Sequence, residues 1–273
     1  MSTERTPTWS PTPAPADDAP LREQLTQLKQ QQERLFASLA TGQQQFKHLA
    51  RQVWRVQEEE RRRLARELHD GIGGNLTALK HQIEALEIAL HARPDLRERA
   101  GAALALTAAT LEDTRELSRM LRPQVLDDLG LDAALNWLAR HVASSAGFRV
   151  EVDASNLAVS VDPDVATLVF RIAQEALANA AKHSAASHVL VHVAARDDQL
   201  ALLVSDDGTG CDPARALARN AEGLSGGLSG MRERVGLFGG RFHFVSAPGE
   251  GAQLRVVLPL QAPPEPVQVK LNR

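Results

Sequence analysis

The sequence has 273 residues, enough for one large domain or two modest ones with extensions, and it is 43% hydrophobic and 24% charged, as in ordinary soluble proteins. A net charge of −3 offers no basic excess to attract nucleic acid or an anionic membrane surface. The single cysteine, Cys211, excludes an internal disulfide, and no apolar run approaches the ~20 residues of a membrane span, so we expect a cytoplasmic protein with no direct nucleic-acid contact.

The N-terminal part divides into two segments. Residues 1–20 carry five prolines among small polar residues and are expected to be disordered. Over residues 21–57, apolar residues recur in alternating steps of four and three, which is the spacing of a heptad seam. A single amphipathic helix lying on its own domain would show the same spacing. We favour a coiled coil, because no other core is available this early in the chain.

The next segment contains His69. An apolar stripe from Leu64 to Leu90 predicts a helix, and His69 lies one residue past a stripe position, with its ring facing solvent. A neutral imidazole there is a nucleophile near neutral pH. A lone surface histidine usually has no function, and the charge run 58–63 reads as a solvated, ion-paired face rather than a nucleic-acid patch. Glycines at 71, 73 and 74 predict a bend or a close approach by another surface.

A helical hairpin is predicted over residues 58–125. The helix that carries His69 should end near Pro94, and a second helix should run from Leu96 to Leu121. Two helices cannot enclose a core alone, but two such hairpins form a four-helix bundle, so the pattern predicts a homodimer. Residues 126–147 should form a linker and a helix that contains Trp137.

Residues 148–260 show a mixed pattern that predicts a separate α/β domain. Helices are expected at Asp164–Lys182 and Gly230–Phe238. The tail, residues 261–273, is expected to be disordered. Strands are expected at Phe148–Val152, His188–Ala194, Leu200–Ser205, Phe242–Ser246 and Leu254–Leu258.

Polar side chains follow one face of the first predicted helix of this domain. Glu175, Asn179, Lys182 and His183 lie opposite its apolar face. Such a stripe is unusual unless it meets a ligand. The carbonyl oxygen of Asn179 is a ligand type that Mg²⁺ prefers, and Lys182 and His183 are placed to meet phosphate oxygens.

Two glycine-rich loops complete the pattern. Asp206 ends a strand and precedes Gly208 and Gly210, where a carboxylate can accept a hydrogen bond from an adenine amino group. The loop 222–230, with Gly227 and Gly230, leads into a helix and offers N–H groups to phosphates. No P-loop and no nicotinamide fingerprint is present.

Together these motifs resemble a sensor histidine kinase of a two-component system, in the subfamily that partners LuxR/NarL-type response regulators. Residues 60–71 look like the phosphoacceptor motif, and residues 121–131 look like the linker. Residues 174–183 look like the N-box of the GHKL ATPase fold, 206–210 like its G1 box, and 227–231 like its G2 box. The expected architecture is therefore α plus α/β: an N-terminal coiled coil, a dimeric four-helix phosphoacceptor bundle, and a C-terminal α/β-sandwich ATP-binding domain.

The resemblance implies that ATP phosphorylates His69 and that the phosphoryl group then passes to a regulator aspartate. Asp70 would orient or deprotonate His69, and Glu175 would support the metal site. Asn179 would hold Mg²⁺, and Asp206 would read adenine. Lys182 and His183 would contact the phosphates, and the glycines 208, 210, 227 and 230 would belong to the nucleotide-binding loops.

The sequence departs from the family pattern at Gly74, at Ser225 in the second glycine-rich loop, where a glycine is usual, and at Ala252, where a threonine is often found. Gly74 replaces a glutamine that often supports dephosphorylation of the regulator in this subfamily, which predicts weak phosphatase activity. The alternatives are a nucleotide-binding dimeric scaffold and a GHKL-fold ATPase without a phosphohistidine. No sensory domain precedes the predicted coil in this sequence, so we expect either that an upstream sensor protein delivers the signal or that the coil transmits it from a segment missing here.

Overall fold

The computed structural model describes residues 19–122, 124–157, 160–218 and 227–262. The disorder expected for the N-terminal residues 1–18 and for the tail from residue 263 therefore lies outside the described residues. The chain divides into two units, residues 1–47 and residues 48–273. Among the described residues, no helix combines the length and the apolar character needed to span a membrane.

A 48-residue helix, α1, spans Ala19–Arg66 and covers most of the predicted seam. The large apolar side chains of this seam from Leu28 onward, and the neighbouring Phe36, are each more than half exposed. A stripe of this kind on a long helix is typical of a surface that pairs with another helix. The exposed residues are Leu28, Leu35, Phe36, Leu39, Phe46, Leu49, Val53 and Val56.

A helical hairpin follows α1. The backbone continues as a π-helical segment over Glu67–Gly73, and then as α2 over Gly74–Ala89. After a short turn, α3 spans Pro94–Leu121, with Pro94 in its first turn, where the missing N–H costs nothing. The Ser118 hydroxyl of α3 donates to the Ala65 carbonyl of α1 at 2.7 Å. No residue of α2 is buried, so much of the hairpin's apolar surface is exposed.

The C-terminal part is built on a five-stranded mixed sheet with the order β1-β2-β3-β5-β4. The parallel pair β1 and β2 is joined through the helix Pro163–Asn179, and the remaining neighbours are antiparallel. The strands are β1 Arg149–Asn156, β2 His188–Arg196, β3 Gln199–Asp206, β4 Arg241–Ser246 and β5 Ala252–Pro259. All five predicted strands are confirmed, with ends that differ by a few residues.

Five helices accompany this sheet among the described residues: α4 Gln124–Asp128, α5 Gly130–Ala146, α6 Pro163–Asn179, α7 Pro213–Ala218 and α8 Leu228–Leu237. The core lies between the sheet and helices α5, α6 and α8. Leu135 and Leu138 of α5 are fully buried in the same core as Phe170 of α6. The predicted helix containing Trp137 is thus part of the α/β core.

One expectation about the charge run 58–63 is wrong. Glu59 and Glu60 are exposed and pair with neighbouring arginines on α1, as a solvated face requires. Glu58 is only 7% exposed and forms ion pairs with Arg171 and Arg122, which lie far away in sequence. Sequence periodicity does not show this, because the partners come from other helices.

Candidate nucleotide-binding site and phosphoacceptor segment

His69 and Asp70 both lie in the π-helical segment Glu67–Gly73 rather than in a regular helix. A π-helix closes its hydrogen bonds over five residues instead of four, which changes the directions of successive side chains. Short π segments of this kind are frequent at functional sites. The bend expected from the three glycines therefore takes the form of a local change in winding. Of the three, only Gly73 is buried, and nothing lies within 4 Å of a Cβ added at Gly71 or Gly74.

The side chains of His69 and Asp70 are exposed. Within the described ranges, neither side chain forms a hydrogen bond or an ion pair, and none joins them to the α/β part. The imidazole of His69 is therefore open to solvent.

Helix α6 presents the predicted polar stripe. Its N-terminus is capped by Asp162, whose carboxylate accepts from the N–H groups of Asp164 and Val165. One face of α6 is fully buried, including Leu168 and Ile172. Glu175 and Asn179 are half-buried on the other side of the helix, as predicted.

A second π-helical segment, Ala180–Ser184, follows α6 directly and carries Lys182 and His183, both exposed. It ends at Ser184, whose buried hydroxyl donates to the Ala180 carbonyl at 2.7 Å and accepts from the Ala186 N–H at 3.1 Å. Because both bonds fix Ser184, the end of this segment is rigidly placed. Both groups of predicted polar site residues, at 69–70 and at 182–183, thus lie in π-helical segments.

The loop after β3 is held against Ser184. The Thr209 N–H donates to the Ser184 carbonyl at 2.7 Å, and a Cβ added at Gly208 would overlap that carbonyl. Gly210 has a φ of +61°, and a Cβ there would overlap the Ala247 carbonyl. These two glycines therefore allow close backbone approach on both sides of the loop. The structure brings the loop of Asp206 and the segment of Lys182 and His183 together at this point.

The two acids at the end of β3, Asp206 and Asp207, have pKa values that are shifted in opposite directions. Burial raises the pKa of Asp206, although N–H groups of Gly208 and Ala252 bond its carboxylate and oppose the shift. The hydroxyl of Ser187 and the N–H of His188 hold the pKa of the exposed Asp207 down to about 2. Asp207 is therefore a structural clamp on the start of β2. The carboxylate of Asp206, in contrast, is partly removed from water. This is a common environment for a group that recognises a ligand.

Gly227 and Gly230 begin α8. Gly227 precedes the helix with a φ of +81°, and its carbonyl accepts from the Met231 N–H at 3.0 Å. Gly230 is buried in the first turn. The preceding part of the predicted phosphate loop, residues 222–226, lies outside the described residues.

Sequence reasoning missed Arg234, which lies on α8. It is partly buried, and its Nε has no hydrogen-bond partner within the described residues. Burial lowers the pKa of Arg234, and the charge of Glu175 opposes this shift. Glu175 and α8 are therefore close enough to interact electrostatically. Sequence spacing could not reveal this, because two strands, β2 and β3, and helix α7 separate α6 from α8 along the chain.

Sequence reasoning also left out the contacts of Trp54, Glu58 and Arg171. Trp54 and Glu58 are one helical turn apart on α1, away from the heptad seam. Arg171 lies between two buried residues of α6, Phe170 and Ile172. The one available signal in the sequence was the charge of Arg171 inside an otherwise apolar run.

The donor set fits a metal that is bound mainly through a nucleotide. Within the described ranges, no three His, Cys, Asp or Glu side chains cluster to hold a metal ion by themselves. Asn179 forms no side-chain hydrogen bond there, so its amide oxygen is available. Mg²⁺ is commonly bound by one or two protein oxygens together with phosphates and waters, which matches Asn179 beside an acid such as Glu175.

Comparison with known proteins identifies two domains. Residues 60–126 match the HisKA_3 family, described as histidine kinase. Residues 164–262 match the HATPase_c family, described as histidine kinase-, DNA gyrase B- and HSP90-like ATPase. The first match contains His69 and Asp70, and the second contains every residue of the candidate nucleotide site.

Three curated relatives match most of this chain. The sensor histidine kinase MctS of Rhizobium johnstonii is 34% identical over 80% of this chain and 47% of its own length. ComP of Bacillus subtilis, also a sensor histidine kinase, is 33% identical over 78% of this chain and 28% of its own. The oxygen sensor histidine kinase NreB of Staphylococcus carnosus is 31% identical over 75% of this chain and 58% of its own.

The chain therefore spans between about a quarter and three fifths of the length of these relatives. Its HisKA_3 domain is followed by an ATP-binding HATPase_c domain, and the described structure has the same order, with a helical hairpin before a mixed α/β sheet. The chain therefore carries the two domains of a histidine kinase, HisKA_3 and HATPase_c.

Proposed function

We propose that this chain is an ATP-dependent autokinase that phosphorylates His69 and passes the phosphoryl group to an aspartate of a LuxR/NarL-type response regulator. The observation that carries the proposal is the presence in one chain of an exposed histidine in a HisKA_3 domain and an ATPase domain of the histidine kinase type. Use of ATP and of a response regulator would place both domains in the cytoplasm.

The first step joins an imidazole nitrogen of His69 to the γ-phosphorus of ATP, while the bond from that phosphorus to the ADP oxygen breaks. The proton leaves the imidazole, and the carboxylate of Asp70 would accept it. On a regular helix, adjacent residues do not face each other. The π-helical winding at Glu67–Gly73 supports this role, because it changes the relative directions of the two side chains.

The ATPase domain contributes positioning and charge neutralisation, which dominate phosphoryl transfer. Asp206 accepts a hydrogen bond from the adenine amino group, and the glycines at 208 and 210 let the loop approach closely. Lys182 and His183 would meet phosphate oxygens, and the start of α8, with Gly227 and Gly230, would offer N–H groups to them. When bound, Mg²⁺ would neutralise phosphate charge. Asn179 would hold it, and Glu175 would support it through water.

A homodimer is the proposed assembly. The hairpin exposes large apolar side chains that a second hairpin would cover in a four-helix bundle. The seam on α1 is exposed in the same way and would form a parallel coiled coil that receives a signal from an upstream sensor protein. The exposed hairpin residues are Leu64, Ile72, Leu79, Leu86, Ile88, Leu106 and Leu117.

The test is incubation with γ-labelled ATP and Mg²⁺, comparing the wild type with His69→Gln and Asn179→Ala. His81→Gln is the matched control, because His81 is another exposed histidine on the same hairpin. We expect an acid-labile, base-stable label on the wild type and on the control only. ATP binding without any label would favour a scaffold, and ATP hydrolysis without label would favour an ATPase that lacks a phosphohistidine.

A further inference from the structure

Residues 51–58 of α1 lie against the ATPase domain. Trp54 is 6% exposed and packs edge-on against Phe238, at the end of α8, with ring centroids 5.1 Å apart. Beside it, Arg55 Nε donates to Asp164 Oδ2 of α6 at 2.7 Å. Because Trp54 belongs to the same buried core as Phe238, α1 and the ATPase domain share a packed interface here.

The carboxylate of Glu58 anchors the same interface. It accepts from Arg171 Nε at 3.0 Å and from Arg171 Nη2 at 2.8 Å, and Arg122 Nη1 lies 3.9 Å away. The two Nη groups of Arg171 also donate to the carbonyls of Met120 and Leu121, the last two residues of α3. One guanidinium therefore joins α1, α3 and α6.

The three charged side chains are buried together, each only 8% exposed. Burial lowers the pKa of Arg171, and Glu58 opposes this shift. Removing one partner of such a group leaves an uncompensated buried charge, so the interface depends strongly on Glu58.

The same turns of α1 carry part of the heptad seam. Leu49, Val53 and Val56 are exposed, whereas Trp54 and Glu58 are buried against the ATPase domain. A change in how α1 meets a partner helix would therefore act directly on this interface.

The interface lies upstream of the phosphoacceptor. Along the helix, Glu58 is about 16 Å from His69, given a rise of about 1.5 Å per residue. Within the described ranges, no hydrogen bond or ion pair connects His69 to the ATPase domain. The interface thus holds α6 against α1 without engaging His69.

We infer that Trp54 and Glu58, with Phe238 and Arg171, form a clasp that restrains the ATPase domain on α1, and that opening the clasp raises the rate of His69 phosphorylation. The inference rests on the proposed function. The clasp is a restraint on the ATPase domain and takes no part in nucleotide binding.

The test uses Glu58→Gln in the full chain, with Glu59→Gln as the matched control, because Glu59 is exposed and pairs only along α1. The other tryptophans, Trp9 and Trp137, are replaced by Phe so that acrylamide quenching reports on Trp54 alone. The rate of His69 labelling and the affinity for a fluorescent ATP analogue are measured on the same samples.

We expect Glu58→Gln to make Trp54 more quenchable and to raise the labelling rate by at least about fivefold, the lower end for a coupling between two sites. Nucleotide affinity should not change, and Glu59→Gln should behave as the wild type in all three measurements. Opening of Trp54 with an unchanged or reduced labelling rate would overturn the inference, as would labelling that rises without any change at Trp54.

The folding of Glu58→Gln is checked by circular dichroism, and a second variant tests the inference if Glu58→Gln misfolds. Arg55→Gln removes the more exposed ion pair of the same interface, and we expect a smaller change in the same direction. Absence of label from every chain, with nucleotide bound and Trp54 responding as expected, would reject the proposed function instead of the clasp.

Discussion

Gly208→Ala tests whether the loop after Asp206 requires close backbone approach. The added Cβ would overlap the carbonyl oxygen, the carbonyl carbon and the Cβ of Ser184. Ser184 cannot easily yield, because its hydroxyl bonds Ala180 and Ala186 and its carbonyl accepts from Thr209. The loop must therefore move away from the second π-helical segment.

The expected loss of stability has two parts. Overpacking at a fixed site costs about 1–3 kcal/mol. Lengthening of the bond from the Thr209 N–H to the Ser184 carbonyl costs about 1 kcal/mol more. We expect Gly208→Ala to lower the free energy of unfolding by about 2–4 kcal/mol. We also expect nucleotide affinity to fall by more than about tenfold, because a misplaced loop needs to lose only about 1.4 kcal/mol of binding free energy for a tenfold effect.

The assay is denaturant unfolding followed by circular dichroism, with nucleotide binding measured on the folded variant. Gly236→Ala is the control, because Gly236 lies in α8 and an added Cβ there meets nothing within 4 Å. Alanine at a helical position should stabilise the chain, by up to about 1 kcal/mol. If Gly208→Ala cost less than about 1 kcal/mol and left nucleotide affinity intact, the argument from close approach would be refuted.

Three further predictions concern single side chains. The raised pKa of Asp206 means that its neutral form favours folding below the ordinary pKa and that this benefit is lost as pH rises through the raised value. Asp206→Asn should therefore be more stable than the wild type at pH 7 but not at pH 3, while adenine binding weakens; lower stability at pH 7 would contradict this. Because the pKa of Asp207 is lowered from 3.8 to about 2, its carboxylate stabilises the fold above pH 3.8, so Asp207→Asn should lose stability at pH 7 and this deficit should shrink as pH falls from 3.8 through 2. A deficit as large at pH 2 as at pH 7 would reject the clamp by Ser187. Gly74 has helical dihedrals and open space at Cβ, so Gly74→Gln should speed dephosphorylation of the regulator, and an unchanged rate would count against that role.

Most of the secondary structure could be predicted because it depends on local patterns. The strands alternate buried and exposed residues, as β2 does from His188 to Val193, and alternation is visible in sequence. The stop of the first hairpin helix before Pro94 and the polar stripe of Glu175 and Asn179 have equally local causes.

The π-helical segments could not be predicted in this way. A heptad or an apolar stripe in the sequence indicates a regular helix through the spacing of its apolar residues. A change of winding over five to seven residues leaves that spacing nearly unaltered, so the sequence does not reveal it. The three glycines near His69 indicated a local irregularity but not its kind. No comparable signal preceded Lys182 and His183.

Contacts between distant elements were also invisible in the sequence. Glu58 looked like its neighbours Glu59 and Glu60, and only the packing of α6 and α3 on α1 buries it. The interaction between Arg234 and Glu175 likewise depends on how α8 is placed against α6. These side chains differ from solvated charges in their tertiary neighbours, which a single sequence does not contain.

The central claim is that His69 receives the phosphoryl group, and peptide mapping tests it most directly. Cleavage after Arg66 and Lys80 releases a peptide, residues 67–80, in which His69 is the one histidine among the nine in the chain. After incubation with γ-labelled ATP and Mg²⁺ and digestion at alkaline pH, we predict acid-labile label on this peptide alone. Label on a peptide that carries another histidine, or acid-stable label on a hydroxyl, would contradict the account.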